Sequence, residues 1–233
     1  MSIRAIYIFC VSGITIILLT ACGAWMAIPS PTPTILPTMT AAPSATPTII
    51  PPTLSPPILE IPLIEPGTVA YDFIAHVCEA KWTNNGQDIP CPGNLDNIDT
   101  GSIILLDNPT IEGLLLVKSP ALLTIPAQNM RYRGIFGRYP AFTIQANDHF
   151  RAILACKENA FCELGFALEY YDAKGAYQAL AAWNHRYGGG PISADVNLTP
   201  LAGQTIEFTL VVRDNGDPTN DFALWIAPYI YRP

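Results

Sequence analysis

A high proline content limits the secondary structure that the segment before the folded part of this chain can form. Twelve prolines stand among the 39 residues from Ile28 to Pro66. Proline has no backbone N–H and fixes φ, so a segment this rich in proline builds neither a helix nor a central strand. We predict a disordered, semi-extended spacer over residues 22–66, with a packed domain after it, at residues 67–233. Composition leaves open whether the spacer lifts that domain away from a surface or is a linker of no selected length.

A short apolar leader precedes the spacer. Arg4 gives it a positive start, and residues 5–20 form an almost wholly apolar run with the length of a signal-peptide core. The run ends in Leu19-Thr20-Ala21-Cys22-Gly23, which resembles the lipobox of bacterial lipoproteins. The resemblance implies that residues 1–21 are a lipoprotein signal peptide and that Cys22 becomes a lipidated N-terminus, with palmitate among its acyl chains. The alternative is an ordinary secretory signal, or an uncleaved anchor, in which Cys22 is incidental.

Location and charge limit the partners of such a chain. Two or three acyl chains on Cys22 would hold it stably on a bilayer, so we expect an exported protein anchored on the extracytoplasmic side of the cell membrane. The formal net charge is -7, and no charged residue stands between Arg4 and Glu60. The acidity therefore belongs to the C-terminal region, which would attract neither nucleic acid nor anionic lipid headgroups. The lipid bilayer is the first expected partner.

Beyond Gly67 the pattern changes to short apolar runs separated by turn residues. The runs recur about every 8–15 residues without a long 3.6-residue period, which is typical of all-β proteins. We therefore predict an antiparallel β-sandwich over residues 67–233. The predicted strands lie within 69–77, 101–106, 111–117, 141–145, 150–155, 161–171, 177–183, 192–198, 205–213 and 222–231.

Four cysteines fall in this region, namely Cys78, Cys91, Cys156 and Cys162. In an exported chain an even number of cysteines indicates disulfides, and four cysteines allow three connectivities. We favour the local pairs Cys78–Cys91 and Cys156–Cys162. A zinc site is not expected, because neither pair has the two-residue spacing of zinc motifs and no histidine lies close to them in the sequence.

Two stretches near the C-terminus resemble the last strands of a known fold. Residues 196–213 read VNLTPLAGQTIEFTLVVR, and residues 221–228 read DFALWIAP. Both resemble the final strands of lectin-like jelly-roll domains, which recur as carbohydrate-binding modules, and residues 140–152 suit their middle strands. The resemblance implies a jelly-roll sandwich and a glycan or polysaccharide as partner. It carries over no site residues, because these modules bind sugars on different loops or faces in different families.

One aromatic cluster has the chemistry of a sugar site. Trp183, Asn184, Arg186 and Tyr187 precede the glycine-rich loop at 188–191. Indole and phenol rings can stack on a pyranose, amide and guanidinium groups can bond its hydroxyls, and glycines allow close approach of a ligand. The alternative is that Trp183 is a core residue at the end of a strand and the glycines only form a loop.

An acidic loop offers a possible calcium site. Asp214, Asp217 and Asp221 gather carboxylate oxygens within eight residues, and calcium prefers such ligands. The loop lacks the EF-hand pattern, and a structural hydrogen bond from Asp221 to a loop explains that residue equally well. No other cofactor is expected.

Catalysis is not predicted for this chain, and no catalytic residue is assigned. The sequence has no zinc-protease helix motif, nucleophile elbow or phosphate-binding glycine loop. Glu163 and Glu169 would share one strand face about 20 Å apart, too far for a glycosidase pair. The favoured function is a membrane-anchored module that binds carbohydrate. A protein-binding, adhesive or structural surface module is the alternative, and a hydrolase with a site assembled from separate strands ranks third.

Overall fold

A computed structural model describes residues 57–59, 67–84, 86–96, 98–128, 134–217 and 219–233. The predicted signal peptide at 1–21, the lipidation site Cys22 and most of the predicted spacer lie outside these residues. In the described part of the chain, no helix has the length and apolarity needed to span a membrane.

The described residues form sixteen strands and two short 3-10 turns, at Glu112–Leu114 and Thr199–Leu201. In chain order the strands are β1 (Ile58–Leu59), β2 (Thr68–Asp72), β3 (Lys81–Asn84), β4 (Gln87–Asp88), β5 (Ser102–Leu106), β6 (Thr110–Ile111), β7 (Leu115–Val117), β8 (Ala121–Ile125), β9 (Gly134–Arg138), β10 (Phe142–Thr143), β11 (His149–Cys156), β12 (Glu163–Tyr171), β13 (Tyr177–Arg186), β14 (Ile192–Asn197), β15 (Thr205–Asp214) and β16 (Ala223–Arg232).

Two antiparallel sheets carry most of these strands. The front sheet has the order β13-β12-β15-β9-β3-β4, with β10 paired to β15. The back sheet has the order β14-β11-β16-β8-β5, with β2 paired to β16. The predicted all-β jelly-roll sandwich is confirmed.

The main core lies between the inner faces of the two sheets. Side chains alternate along a strand, so β12 directs Leu164, Phe166 and Leu168 inward, and all three are buried. Aromatic rings fill the space between the sheets, and Phe166 meets Trp225 edge-to-face at a centroid distance of 5.1 Å. Each fully buried apolar side chain of this size stabilises the fold by about 1.5–3 kcal/mol.

A second apolar cluster lies on the outer face of the back sheet. It includes Leu123, Ile125 and Ile226, which are fully buried, and the small sheet β1-β7-β6 belongs to the same region. In that sheet Ile58–Leu59 pairs in parallel with Leu116–Val117, and the Leu116 amide donates to the Pro57 carbonyl. The packed structure therefore includes residues from the segment predicted as spacer. The prolines are compatible with this, because a two-residue edge strand needs few backbone donors.

Both predicted disulfides are present. Cys78 pairs with Cys91 at a Cα–Cα distance of 5.2 Å, and Cys156 pairs with Cys162 at 6.2 Å. The second bridge closes the turn between β11 and β12. The local connectivity is thus confirmed out of the three that the sequence allowed.

Candidate functional site

The outer face of the front sheet carries ion pairs and aromatic side chains that lie outside both cores. Because β12 buries Leu164, Phe166 and Leu168 between the sheets, the alternate residues of β12 point to the other side. Glu169 and Tyr171 are two of these residues. The register of β12 with β13 and β15 places the outer residues of all three strands on one continuous surface.

A groove of about 370 Å³ lies on this surface, within the usual size range of small-molecule sites. Five adjacent strands, β13, β12, β15, β9 and β3, contribute to it. We call it the aromatic groove. Its lining residues are Lys81, Thr83, Phe136, Arg138, Glu169, Tyr171, Tyr177 and Thr209.

Arginines hold the aromatic rings of this groove in place. The guanidinium carbon of Arg138 lies 4.2 Å from the centroid of the Tyr171 ring, and that of Arg213 lies 5.3 Å from the Phe136 ring. Tyr171 and Tyr177 meet at a centroid distance of 5.6 Å and an angle of 62°. Cation–π contacts of this kind stabilise a ring by about 0.5–1 kcal/mol at exposed sites. Tyr177 nevertheless keeps 47% of its surface exposed, so its ring is open to a ligand.

The cations around the aromatic groove are matched by carboxylates. Arg213 Nη2 lies 2.8 Å from Glu169 Oε1, and Arg138 forms an ion pair with Glu207. Lys81 Nζ lies 3.4 Å from Asp88 Oδ1. These three pairs cancel in formal charge, so the groove offers hydrogen-bonding groups without an excess of either sign.

Two buried polar atoms at the bottom of the groove lack a partner. Glu169 and Thr209 are only 3% and 4% exposed, and they sit directly opposite each other on β12 and β15. Glu169 Oε2 and Thr209 Oγ1 have no hydrogen-bond partner among the described residues. Leaving such a group unsatisfied costs about 1–3 kcal/mol, more for a charged one, so native structures rarely do it without a reason.

Tyr177 is electrostatically coupled to this carboxylate. Burial raises the pKa of the Tyr177 hydroxyl, its hydrogen bond to Glu169 raises it further, and Arg213 lowers it. The Tyr177 hydroxyl therefore stays protonated beside the Glu169 carboxylate. Together Tyr177, Arg213 and Glu169 form a connected polar unit on the strands β12, β13 and β15.

A second, shallower groove lies near the opposite end of β12. Its volume is about 480 Å³, and its lining residues are Glu163, Asn184, His185, Arg186 and Asn215. Arg186 Nη2 lies 2.7 Å from Glu163 Oε2, and Asn215 Nδ2 donates to Asn184 Oδ1 at 3.2 Å. Six residues of extended strand separate Glu163 from Glu169, or about 20 Å. The structure thus brings the predicted ligand residues Asn184 and Arg186 together, on the same sheet face as the aromatic groove.

The other two predicted ligand residues lie elsewhere. Trp183 is paired with Phe166 in the β12–β13 ladder and packs, half-buried, against the core. Successive residues of a strand face opposite ways, so Trp183 and Asn184 do not share a surface. Tyr187 lies with its ring 4.9 Å from Phe161, and its hydroxyl accepts the Asn159 amide at 3.3 Å. Binding by this four-residue set stays a prediction, and the structure divides the set into three surroundings.

The three aspartates predicted to bind calcium already make hydrogen bonds to backbone amides. Asp221 Oδ1 accepts the Glu163 amide at 3.1 Å, Asp214 Oδ1 accepts the Gly216 amide at 2.6 Å, and Asp217 Oδ1 accepts the Thr219 amide at 3.0 Å.

Asp221 also has an unusual acidity. Its burial raises its pKa to about 7; the Glu163 amide lowers it, and Asp214 and Asp217 raise it. A proton on Asp221 relieves the repulsion among these three carboxyl groups. Calcium binding by Asp214, Asp217 and Asp221 stays a prediction.

Most of the aromatic groove was not predicted from the sequence. Phe136 and Arg138 lie on β9, a strand that was not predicted, and Tyr177 was identified only as the start of a strand. One signal was present in the sequence: Glu169 directly follows the run LGFAL of β12, and Thr209 lies within the run FTLVV of β15. A carboxylate and a hydroxyl at corresponding depths of two long strands would have indicated a polar site on one sheet face.

Comparison with known proteins finds only distant structural similarity. No protein-family model matches the chain, and no curated protein matches it. Solved structures do match, and the ones named here are carbohydrate-binding modules with a β-sandwich fold.

Three of these structures show the level of similarity. A xylan-binding domain of family 22 is 14% identical, with 72% of this chain and 96% of that chain covered and a TM-score of 0.39. A family 61 module in complex with β-1,4-galactotriose is 10% identical, with 62% and 97% covered and a TM-score of 0.39. A family 22 xylan-binding domain from Paenibacillus barcinonensis is 12% identical, with 65% and 85% covered and a TM-score of 0.37. Similarity at this level says nothing about a ligand of this chain, so its function has to be argued from its own side chains.

Proposed function

We propose that the aromatic groove binds a neutral carbohydrate chain and that this protein presents the groove from a membrane surface. The observation that carries the proposal is the pair of buried, unpartnered oxygens, Glu169 Oε2 and Thr209 Oγ1, at the bottom of a groove walled by aromatic rings. These atoms are acceptors for donated hydrogen bonds, and Thr209 can also donate. The hydroxyl groups of a sugar supply both.

The aromatic rings around these oxygens can pack against the apolar faces of a sugar. A pyranose has apolar C–H faces and polar hydroxyl edges, and Phe136, Tyr171 and Tyr177 offer flat apolar surfaces beside the polar floor. Tyr177 and Glu169 both line the groove, so the exposed ring of Tyr177 lies beside the polar floor. The groove therefore combines stacking surfaces with acceptors in the way that small-molecule sites generally do.

Charge supports a neutral ligand over an acidic one. Arg138, Arg213 and Lys81 are each paired with a carboxylate, so none offers an uncompensated positive charge. The free oxygen of Glu169 would repel the carboxylate of a uronic acid. A phosphate backbone is disfavoured for the same reason, and the net charge of -7 for the whole chain adds to this.

The support for a lipid anchor at Cys22 comes from the sequence alone. The lipobox-like segment at Cys22 and the proline-rich spacer support an exported lipoprotein that holds the sandwich on the extracytoplasmic side of a membrane. Replacing Cys22 by alanine is expected to abolish lipid labelling and to release the protein from the membrane fraction. Continued lipid labelling of Cys22→Ala would contradict the anchor and leave the proposed groove untouched.

Affinity electrophoresis of the full chain tests the binding function. Gels containing xylan or β-1,4-galactan serve as neutral polysaccharides, and polygalacturonate serves as the acidic one. Retardation is expected in a neutral gel and not in polygalacturonate. Tyr171→Ala is expected to reduce the retardation, since loss of one stacked ring removes about 0.5–1.5 kcal/mol, or roughly 2- to 10-fold in affinity.

Tyr229→Ala is the matched control, because Tyr229 is a half-buried tyrosine of the back sheet, on β16. This variant is expected to be retarded like the wild type. Retardation by polygalacturonate alone would contradict the neutral ligand, and an equal loss in Tyr171→Ala and Tyr229→Ala would contradict the groove.

A further inference from the structure

A polar cluster is buried beside the second disulfide, on the core side of the front sheet. Glu112, Cys156 and His185 each place a potential ligand atom within 4.8 Å of the others, and all three residues are buried. The side chains of Glu112 and His185 are only 2% exposed. The proposed carbohydrate site makes no use of this cluster, because none of its three residues lines the aromatic groove.

Distant parts of the chain meet in this cluster. Glu112 comes from the 3-10 turn between β6 and β7, Cys156 ends β11, and His185 lies near the end of β13. His185 Nε2 forms a hydrogen bond with Glu112 Oε1, which also accepts the Cys156 amide at 3.3 Å. The second carboxylate oxygen, Glu112 Oε2, accepts the Gly188 amide at 2.5 Å. Cys162 is bonded to Cys156, and its sulfur is not one of the three atoms that lie within 4.8 Å of one another.

Stability alone does not account for this arrangement. Moving a carboxylate and an imidazole out of water is expensive, and well-packed apolar side chains in their place often give equal or higher stability. Apolar side chains surround the site, since Ile111 and Phe166 are fully buried beside Glu112 and the β13 histidine. A buried carboxylate, imidazole and sulfur in contact form a set of ligands that transition metals bind.

We propose that reduction of the Cys156–Cys162 disulfide converts this cluster into a zinc site. A dithiol reductant supplies two electrons and two protons: it is oxidised to its own disulfide, the Cys156–Cys162 bond breaks, and both cysteines become thiols. Zinc then binds two thiolates, one nitrogen of His185 and one oxygen of Glu112, and the two thiol protons leave to solvent. This makes four ligands of the types found in tetrahedral zinc sites. The binding is coupled to deprotonation of the cysteines.

The disulfide keeps the site closed to metal. While it is intact, both sulfurs are bonded to each other, and Glu112 is engaged by His185 and two backbone amides. Only reduction frees the thiolates. The cluster therefore responds to two inputs, the redox state of its surroundings and the availability of zinc. Spacing within the sequence could not show this, because the histidine and carboxylate reach the cysteines only through the strand order of the sandwich.

Cobalt(II) titration of the full chain tests the proposal, because thiolate-bound cobalt has a charge-transfer absorption that oxygen and nitrogen ligands do not give. All proteins carry Cys10→Ser and Cys22→Ser, so that only the four domain cysteines remain. The reduced protein is expected to bind one cobalt ion per chain with thiolate absorption, and zinc to displace it. The oxidised protein is expected to show no such absorption.

Matched variants locate the site. Cys78→Ser/Cys91→Ser removes the other disulfide and is expected to bind cobalt like the parent, whereas Cys156→Ser/Cys162→Ser is expected not to bind. His185→Asn is expected to weaken binding roughly tenfold or more. Loss of the thiolate absorption in the reduced Cys78→Ser/Cys91→Ser variant would overturn the proposal, whether or not Cys156→Ser/Cys162→Ser folds. Equal binding in all variants would overturn it as well.

Discussion

The two outer faces of the sandwich are built on opposite principles. The outer face of the back sheet carries Leu123, Ile125 and Ile226, which are fully buried and belong to a second apolar core. The outer face of the front sheet carries ion pairs, exposed rings and two grooves. Both sheets share one inner core, so the fold itself does not require this difference.

This difference between the two outer faces indicates that the back face contributes mainly to stability and the front face to function. Apolar burial on the back sheet adds to stability with no unpaired polar group in the cluster. The front face, in contrast, keeps Glu169 Oε2 and Thr209 Oγ1 buried without a partner, which lowers stability. A protein that tolerates such a loss on only one of two similar faces is expected to use that face.

The largest effect is expected on the back face. Leu123→Ala removes a fully buried side chain from the second core and should lower the free energy of unfolding by about 2–5 kcal/mol. Polysaccharide retardation should be unchanged at temperatures where the variant is folded. Urea unfolding measures the first effect, with the exposed Val69→Ala on β2 as control. A stable Leu123→Ala that no longer binds polysaccharide would reverse the assignment of the two faces.

A smaller, pH-dependent effect is expected at the end of the front sheet. Burial raises the pKa of Asp221 from 3.8 to about 7, so the folded state holds a proton that the unfolded state has lost between these values. Stability is therefore expected to fall as the pH rises from 4 to 7 and to stay reduced above 7. Asp221→Asn removes this loss and should be more stable than the wild type at pH 8, on the order of 2 kcal/mol, with little difference at pH 4.

Thermal unfolding at pH 4 and pH 8 checks this prediction. The same measurement with added calcium tests the alternative that these aspartates bind the ion. If Asp214, Asp217 and Asp221 hold calcium, the ion should stabilise the wild type at pH 8 and not Asp221→Asn. That result would favour the calcium site over a protonated Asp221. Greater stability of the wild type at pH 8 without calcium would contradict the raised pKa.

The next effect concerns ligand affinity and not stability. Glu169→Gln keeps the size of the side chain and removes the charged acceptor, so affinity for a neutral polysaccharide should fall by about 10- to 100-fold, the equivalent of a charged hydrogen bond. Circular dichroism serves as the folding control. Unchanged affinity in a folded Glu169→Gln protein would remove Glu169 from the site.

The smallest effect is expected in the second groove. Arg186 is an exposed side chain paired with Glu163, and exposed ion pairs contribute about 0–1 kcal/mol. Arg186→Ala should leave stability nearly unchanged and reduce polysaccharide affinity by less than about 5-fold. A larger loss of affinity would extend the binding surface along β12 and support the predicted role of Asn184 and Arg186.

Strands in which apolar and polar residues alternate could be predicted from the sequence, and strands without that alternation could not. Strands such as β12 and β15 place most of their large apolar residues on one side and were predicted. Strand β8 is buried on both faces because the second core covers the back sheet, so its run of Ala-Leu-Leu-Thr-Ile shows no period of two. Long-range cover of this kind cannot be read from a local pattern.

Strand β9 was missed for a different reason. It contains two glycines in five residues, Gly134 and Gly137, and glycine is unfavourable in strands. A Cβ at Gly137 would overlap the indole of Trp82, so packing against a residue 55 positions away, and not local preference, selects the glycine. Since β9 carries Phe136 and Arg138, the aromatic groove could not be predicted without it. The cysteine pairs, in contrast, depend on short loops and were predicted.

The proposed binding function depends most directly on the two unpartnered oxygens of the front face, Glu169 Oε2 and Thr209 Oγ1. Isothermal titration calorimetry of the full chain with xylohexaose or β-1,4-galactotriose, whichever belongs to the retarding polysaccharide, compares the wild type with Glu169→Gln/Thr209→Val. We predict binding by the wild type and loss of measurable heat in the folded double variant. Equal affinity in both proteins would contradict the account, because the polar floor of the aromatic groove would then have no part in binding.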